Sequence, residues 1–529
     1  MMRFSAKRKA VKEFYLTTAI DYANGSPHIG HAYEKILADA IVRSRRLEGI
    51  QCHFLTGLDE HGQKVQETAE RQGKRPQQLC DEVADLFRKM CADLHISYDD
   101  YVRTTQQRHK TVVRNILSKL HERGEIYRSE YKGLYSVRAE RFVQEKDRIN
   151  GEWSEDFGEI IELCESNYFF RLSKYQDWLV EFLRRNENFI FPQFRQKQVQ
   201  EFLREPLNDL CISRPKSRLH WGIELPFDEH YVTYVWFDAL INYVSAIGYG
   251  TENFAQLWPA DVEVIGKDIL APAHAIYWPI MLHALDLEPP KQLLVHGWWL
   301  ARGGEKMSKS LGNVVHPLDY AKIYGADAFR YFVLREMVVG QDSNFTHELF
   351  VSRYNSDLAN DLGNLLSRVG RMVERYCGGR FPEMAMIDSE ELALRQLAEK
   401  TIRETRSHCT GYAFSLALES IFHLVKTANG YLERRAPWKF AKERGANARR
   451  LLETSLAASG EVLRIVAALL SPVMPNISEK ILTQLGAEPI TQWENLRFSN
   501  MLVGRKLGNL EILFPKVEEE KNALSAVST

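Results

Sequence analysis

Two short stretches carry side chains suited to phosphate chemistry. In "SPHIGHAYEKI" the imidazoles of His28 and His31 flank Ile29-Gly30, directly after Pro27 and directly before a helical pattern. A helix N-terminus that follows a strand offers unsatisfied backbone N–H groups and the positive end of a dipole, a ready anion site. His28 and His31 would add side-chain N–H donors there, and Gly30 leaves room for a bulky group against the backbone. The second stretch, "GGEKMSKSLGN" (303–313), is a Gly-rich loop with Lys306, Lys309 and the hydroxyls of Ser308 and Ser310. Two lysines three apart can close over a polyphosphate and neutralise charge as it moves to a leaving group. Each stretch alone has a plainer reading. A His-x-x-His pair also caps helices or binds metals, and a lone Lys-x-x-Lys is an ordinary surface loop.

The elements that must position these residues follow from pattern. "EFYLTTAI" (13–20) is an apolar, β-branched run ending in the turn-rich "DYANGSP". Ile36, Leu37, Ala40, Ile41 and Leu47 then recur at helical spacing, with Arg43, Arg45 and Arg46 near the C-terminal end. "IQCHFLTG" (50–57) reads as a second strand, so the chain opens with a βαβ unit and predicts a parallel sheet with a ligand at the strand ends. Residues 118–229 are irregular, aromatic and charged, and read as an insertion. The sheet is expected to resume with "YVTYVWFDALINYV" (231–244), "VEVIGKDIL" (262–270) and "QLLVHGWWL" (292–300). From about residue 345, Leu358, Leu362, Leu365, Leu366, Val369, Met372, Val373 and Tyr376 follow i, i+3, i+4, i+7 spacing. Further helical patterns span 393–432 and 448–470, which predicts an all-α bundle.

Composition sets the class. The 529 residues exceed what one core supports, and 45% hydrophobic with 26% charged content is ordinary for a globular protein. A formal net charge of −1 confines any nucleic-acid contact to local patches. Seven scattered cysteines without CxxC spacing point to a reducing compartment and no disulfide framework. No run of 18 apolar residues predicts a membrane span. The basic leader "MMRFSAKRKAVK" is short for a transit peptide and has no apolar signal core, so a cytoplasmic protein is expected.

Together the two stretches resemble the HIGH and KMSKS signatures of class I aminoacyl-tRNA synthetases. Across residues 13–515 the chain resembles the methionyl-tRNA synthetases, through "TTAIDYANGSPHIGH", "FLTGLDEHGQKV", "ISRPKSRLHWGIELP", "YVWFDALINY", "IGKDIL", "HAIYWPIML", "EKMSKSLGN", "DLGNLLSR" and a strand-like "LEILFP". The resemblance implies an α/β fold: a Rossmann-type catalytic domain in two halves (1–117 and 230–315) split by a connective-peptide insertion (118–229). A linker or stem-contact region (316–350), a helical anticodon-binding domain (351–515) and a polar tail (516–529) would follow. It implies a ligase that joins methionine to ATP as an adenylate and passes it to the terminal ribose of tRNA(Met), elongator and initiator. A carboxylate nucleophile is already ionised at pH 7, so no general base is required. Catalysis is then positioning plus stabilisation of charge on phosphate oxygens, with His28, His31, Lys306 and Lys309 as the acting groups.

The resemblance also assigns binding residues. Ala19, Ile20, Tyr22, Asp59, Trp236, Ala239, Leu240, Tyr243 and His274 fall at methionine-site positions. Asp59 suits the substrate amino group, and an aromatic slot suits a thioether. For Trp236 and Tyr243, plain core packing is the alternative. Glu34, Gly266, Asp268, His296 and Trp299, with His28, Gly30, His31, Lys306, Ser308 and Lys309, fall at ATP positions. Asn364, Arg368 and Trp438 fall at anticodon-reading positions. A local net charge of +5 over residues 431–450 and an exposed Trp438 suit unstacked bases. Arg371 and Arg375 read equally as a solvated helix face.

Isoleucyl, valyl and leucyl relatives carry a large editing domain that about 110 inserted residues cannot hold. A cysteinyl relative needs a zinc ligand set, which is missing. A non-catalytic paralogue that binds tRNA or methionine as a sensor is set against the intact His28, His31, Lys306 and Lys309. Many methionyl relatives carry a zinc knuckle in the segment that here reads "GLYSVRAERF" (133–142), where Ser136 and Ala139 stand at the cysteine positions. ATP with Mg²⁺ and no zinc is therefore expected, with structural zinc needing four Cys or His ligands. The chain stops soon after "LEILFP" without the appended dimerising module of some relatives, so a monomer is expected.

Overall fold

The computed structural model describes residues 12–136, 141–143, 148–149, 151–153, 157–307 and 314–518. The chain divides into two compact units, each assembled from separated segments. The first is Met1–Ser26, Leu55–Phe87 and Tyr98–Val295; the second is Pro27–Phe54, Arg88–Ser97 and His296–Thr529.

A seven-stranded sheet organises the first unit. Its strands are β1 (Phe14–Thr18), β2 (Asp21–Tyr22), β3 (Cys52–Asp59), β4 (Asp100–Arg103), β5 (Ile190–Phe191), β6 (Val262–Gly266) and β7 (Leu293–His296). The order is β5-β7-β6-β1-β3-β2, with β4 also pairing β3. β1 runs parallel to β6 with Thr18 beside Val264, β3 parallel to β2 and β4, and β5 parallel to β7. Strands covered on both faces need apolar residues at every position rather than at alternate ones. β6, "VEVIG", is buried throughout, and Glu263 is its one polar side chain. Gly57 of β3 sits where a Cβ would fall 2.1 Å from the Val102 carbonyl oxygen, so only glycine lets β3 and β4 close there.

The segment around residues 126–211 builds its own antiparallel sheet. Ile126–Ser136 and Ile160–Phe170 pair along eleven positions, flanked by Leu210–Cys211 and Arg141–Val143.

The second unit is mostly helical. The helix Ile29–Leu47 follows His28; the helices Asn364–Cys377, Ser389–Thr410, Phe414–Arg435, Ala446–Leu470 and Pro475–Leu485 make the bundle. Ala446–Leu470 is buried at every position from Thr454 to Leu470, as expected of a helix enclosed on all sides. Asp388 and Glu391 form a reciprocal capping box at the start of Ser389–Thr410. Among the described residues no helix is long and apolar enough to cross a membrane.

Three expectations are corrected. "YVTYVWFDALINYV" does not extend the parallel sheet. Asp228–Thr233 joins a separate three-stranded antiparallel sheet, and Val235–Leu240 and Asn242–Ser245 are helical. The apolar run there faces a core as two short helices, which periodicity cannot tell from a buried strand. "QLLVHGWWL" ends as a sheet strand at His296, and Trp299–Leu300 pairs instead with Ser343–Asn344. Gly297 permits that switch, since a Cβ would meet the Gln341 carbonyl oxygen at 2.0 Å. "LEILFP" forms no strand; Leu510 packs on Gly370 and Phe514 stands edge-on to Tyr354.

Candidate active site

The predicted residues fall into three groups. In the second unit, His28 is the N-cap of Ile29–Leu47. Its Nδ1 accepts the Gly30 N–H at 3.1 Å, and His31 Nδ1 accepts the His28 N–H at 3.2 Å. The two rings stack with centroids 3.7 Å apart. A ring nitrogen that accepts a hydrogen bond carries no proton, so in both neutral imidazoles the proton is on Nε2. The cap thus fixes both tautomers and turns the pair into side-chain donors at a helix N-terminus. The capping and donor readings of the sequence are one device.

Glu34, one turn on, is buried between Lys35 Nζ at 2.8 Å and His296 Nε2 at 3.2 Å. Burial pushes the Glu34 carboxyl up, but Lys35 and His296 outweigh it and hold the group below its ordinary value. Tyr33 stands edge-on to both His296 and Trp299, and burial raises its hydroxyl well above the usual phenol range. Lys306 lies 4.3 Å from the centre of the Trp298 ring. Ser308 and Lys309 lie outside the described residues.

In the first unit, Tyr243 Oη donates to His274 Nε2 at 2.7 Å while His274 Nδ1 donates to the Ile269 carbonyl at 2.8 Å. Trp236, half-buried, stands edge-on to His274 at 6.2 Å. Tyr243 also accepts, through its backbone carbonyl, the hydroxyl of Tyr15 at 2.9 Å. Ala239 and Leu240 are buried on the Val235–Leu240 helix, Ala19 is buried just past β1, and Ile20 and Tyr22 are half-buried. Asp59 ends β3 and is 7% exposed. Gly266 ends β6, and Asp268, two residues on, is exposed.

In the helical bundle, Asn364 is exposed and Arg368, one turn later, lies 5.5 Å from the Trp438 ring centre and 2.7 Å from Glu433. Trp438 is half-buried rather than exposed, because it shares its face with Arg368. The positive run around it is partly neutralised: Arg434 pairs with Glu390, and Arg435 with Asp388 and Glu391. Arg371 and Arg375 are exposed.

Sequence reasoning missed four residues behind this frame. Glu60 and His61 follow Asp59 directly; Glu60 pairs with Arg103 and Thr105, and His61 with Asp238. His109 meets the same Asp238 from 129 residues away. The run "DEH" after an apolar strand was a usable signal for the first two. Nothing in the sequence marks His109 or Asp238.

The comparisons with known proteins address the whole of this frame. A family profile described as "tRNA synthetases class I (M)" matches residues 14–155 and 158–370, and one described as "Anticodon binding domain of methionyl tRNA ligase" matches residues 381–526. The chain belongs to the methionyl-tRNA synthetase family. It is 42% identical over 518 residues to the methionine–tRNA ligase of Caldanaerobacter subterraneus, covering 97% of this chain and 80% of the relative. With that of Bacillus subtilis it is 41% identical, covering 96% and 78%. Among solved structures, the Mycobacterium tuberculosis methionyl-tRNA synthetase in complex with methionyl-adenylate superposes with a TM-score of 0.91 at 39% identity. That match covers 96% of this chain and all of the other. The apo form of the same synthetase gives 0.85 at 35% identity, covering 96% and 99%. Membership in the methionyl-tRNA synthetase family accounts for both an α/β sheet unit and an all-α bundle in one chain.

Proposed function

We propose that this chain activates methionine with ATP and transfers it to tRNA(Met), and that the residues above divide the work as follows. The methionine carboxylate attacks the α-phosphorus, a new O–P bond forms, the Pα–O bond to the β-phosphate breaks, and pyrophosphate leaves. His28 and His31 donate through Nε2 to phosphate oxygens as charge builds in the transition state. By the measure of oxyanion donors, each is worth roughly 2.7–4 kcal/mol of barrier. Lys306 and Lys309 neutralise the departing pyrophosphate. Glu34, Gly266, Asp268, His296 and Trp299 hold the adenosine, and Asp59 takes the methionine ammonium. Tyr243 and His274, bonded to each other, present the polar edge of an otherwise apolar pocket formed with Ala19, Ile20, Tyr22, Trp236, Ala239 and Leu240. The ribose hydroxyl of tRNA then attacks the carbonyl carbon and AMP leaves. Asn364, Arg368 and Trp438 read anticodon bases, with Arg368 over the indole face at 5.5 Å from its centre. The insertion spans 118–229 between two catalytic halves, and the anticodon domain runs from 351 to 515.

The observation that carries this reading is the tautomer lock on His28 and His31, in a chain whose family reaction begins with substitution at the α-phosphorus of ATP. Methionine-dependent ATP–pyrophosphate exchange tests it. Lys309→Ala is expected to slow exchange by orders of magnitude while methionine binding persists; near-wild-type exchange would remove the loop from the mechanism. Trp438→Ala is expected to lower tRNA charging by the roughly 1–3 kcal/mol of a base stack and to spare exchange.

The nucleotide is used with Mg²⁺, and zinc is not required. What supports the zinc-free reading is the sequence, with Ser136 and Ala139 at the positions where many relatives carry the knuckle cysteines. Ser136 donates its hydroxyl to the Phe157 carbonyl, and Ala139 lies outside the described residues. Activity unchanged by a zinc chelator in excess Mg²⁺ is the expected result. The protein acts as a cytoplasmic monomer on both elongator and initiator tRNA(Met); light scattering and charging of each tRNA test those points.

A further inference from the structure

We infer that His61 is a positioning residue for methionine recognition, acting through the buried carboxylate of Asp238; the inference rests on the methionine site proposed above. His61 Nδ1 lies 2.6 Å from Asp238 Oδ2, and His109 Nε2 lies 2.6 Å from Asp238 Oδ1. Ser245 Oγ holds the far nitrogen of His109 at 2.7 Å. All four residues are buried, with Asp238 and His109 fully so. Asp238 lies on the Val235–Leu240 helix, which also presents Trp236, Ala239 and Leu240. His61 lies two residues beyond Asp59. One carboxylate thus ties the strand end that would hold the substrate's ammonium to the helix that would hold its side chain.

The segment between is fixed residue by residue. The Asp59 carbonyl accepts the Ala23 N–H at 2.8 Å. The Glu60 N–H donates to Thr104 Oγ1 at 2.9 Å, its carboxylate is held by Arg103 and Thr105, and its carbonyl accepts the Trp221 indole N–H. The Gly62 N–H donates to the Trp221 carbonyl at 3.1 Å, and a Cβ there would lie 2.5 Å from the Tyr22 hydroxyl. Within this segment the His61 side chain reaches the Val235–Leu240 helix through Asp238, with its ring edge-on to Trp221 at 5.6 Å. Charge-assisted hydrogen bonds in a dry interior are short, strong and directional. The His61–Asp238 bond therefore sets the distance between ammonium site and thioether slot together with the backbone contacts of this segment. A substrate that must reach both at once is selected by that distance.

The test uses the full-length protein and two substitutions of the same residue. His61→Asn keeps a donor at the Nδ position, whereas His61→Phe keeps the ring and loses the donor. Direct methionine binding by calorimetry, and exchange kinetics in both substrates, are the readouts. His61→Phe is expected to weaken methionine binding and raise its KM by about tenfold, the scale of one buried charge-assisted hydrogen bond. Its KM for ATP should stay near wild type. His61→Asn is expected to restore most of the methionine affinity. Unchanged methionine affinity in His61→Phe, an equal loss for methionine and ATP, or an Asn variant as impaired as the Phe variant would each overturn the inference. If His61→Phe does not fold, His109→Gln and His109→Leu make the same comparison from the other oxygen of Asp238, with the Gln variant expected to bind better. Wild-type protein that bound no methionine would overturn the methionine reading and this inference together. Wild-type binding with indifferent variants would overturn the inference alone.

Discussion

Asp39 and Glu263 are both fully buried, one on the helix that carries His28 and His31, the other on a central strand of the sheet. Asp39 collects donors from four directions: Arg43 Nε at 2.7 Å, Arg330 Nη2 at 2.6 Å, and the Ser97 N–H and hydroxyl at 2.7 and 2.6 Å. Burial pushes its carboxyl up, but Arg330, Arg43 and Ser97 outweigh that and hold it below the ordinary range. Among the described residues Glu263 receives one donor, the Trp278 indole at 3.1 Å, and its Oε2 has no partner. Burial there prevails, and the group is raised to about 8. Equal burial thus yields an anion in one region and a neutral acid in the other. The number and charge of donors, not depth, decides which.

The largest expected effect breaks the charged side. Arg330 is fully buried and also donates to the carbonyls of Leu94, Pro472 and Val473, so Arg330→Met removes the buried cation at Asp39, leaving Arg43 and Ser97, and strands three backbone acceptors. Breaking a buried pair from one side costs about 3–5 kcal/mol, and urea unfolding should show at least that loss. A small loss would mean that water reaches Asp39 and that donor count is not what keeps it ionised.

The neutral side predicts a gain of up to similar size. With its folded pKa raised, Glu263 contributes stability that is fully present below the unfolded value of 4.5 and lost as pH rises toward about 8. Glu263→Gln removes that dependence. The variant should match wild type near pH 4.5 and be more stable at pH 7.5 by up to about 4 kcal/mol, at about 1.36 kcal/mol per pH unit. Parallel stability curves for the two proteins would show that Glu263 is ionised in the fold.

Asp238 lies between these extremes, with two histidines as donors. Burial raises its carboxyl, but His61 and His109 outweigh it and bring it to about 2, from an ordinary 3.8. A depressed pKa contributes stability present above the unfolded value and lost as pH falls through the folded one. The window is therefore about pH 4 down to 2, with about 2 kcal/mol at stake. Acid unfolding of Asp238→Asn should lack that component.

The smallest effect is the exposed control. Glu181 is drawn to about 2 by hydrogen bonds from Arg184 and Arg185, yet the cluster is open to water. Arg184→Ala should leave the unfolding midpoint unchanged, because solvent screens such pairs. A clear shift would mean that charge pairing matters here without burial.

Much of the site was legible as local pattern. A turn, His-x-x-His and helical spacing after a strand placed His28 and His31 at a helix N-terminus, because a cap is a matter of a few consecutive residues. The stripe from Leu358 through Leu362, Leu365, Leu366, Val369, Met372 and Val373 to Tyr376 is helical throughout, with Met372 and Tyr376 half-buried and the other six buried. The segment 231–244 was not legible: a short apolar run satisfies strand and helix alike, and only its neighbours decide.

By itself, then, the sequence determined what lies within one turn or one motif: two histidines at a helix N-terminus, two lysines three apart in a Gly-rich loop, the βαβ opening and the family. The tertiary structure decided what depends on residues distant along the chain. Asp238 meets His109 across 129 positions and Asp39 meets Arg330 across 291. A carboxylate's charge, a histidine's tautomer and a pocket's span are set by which donors arrive. Arrival depends on how the core closes, and no local spacing encodes it.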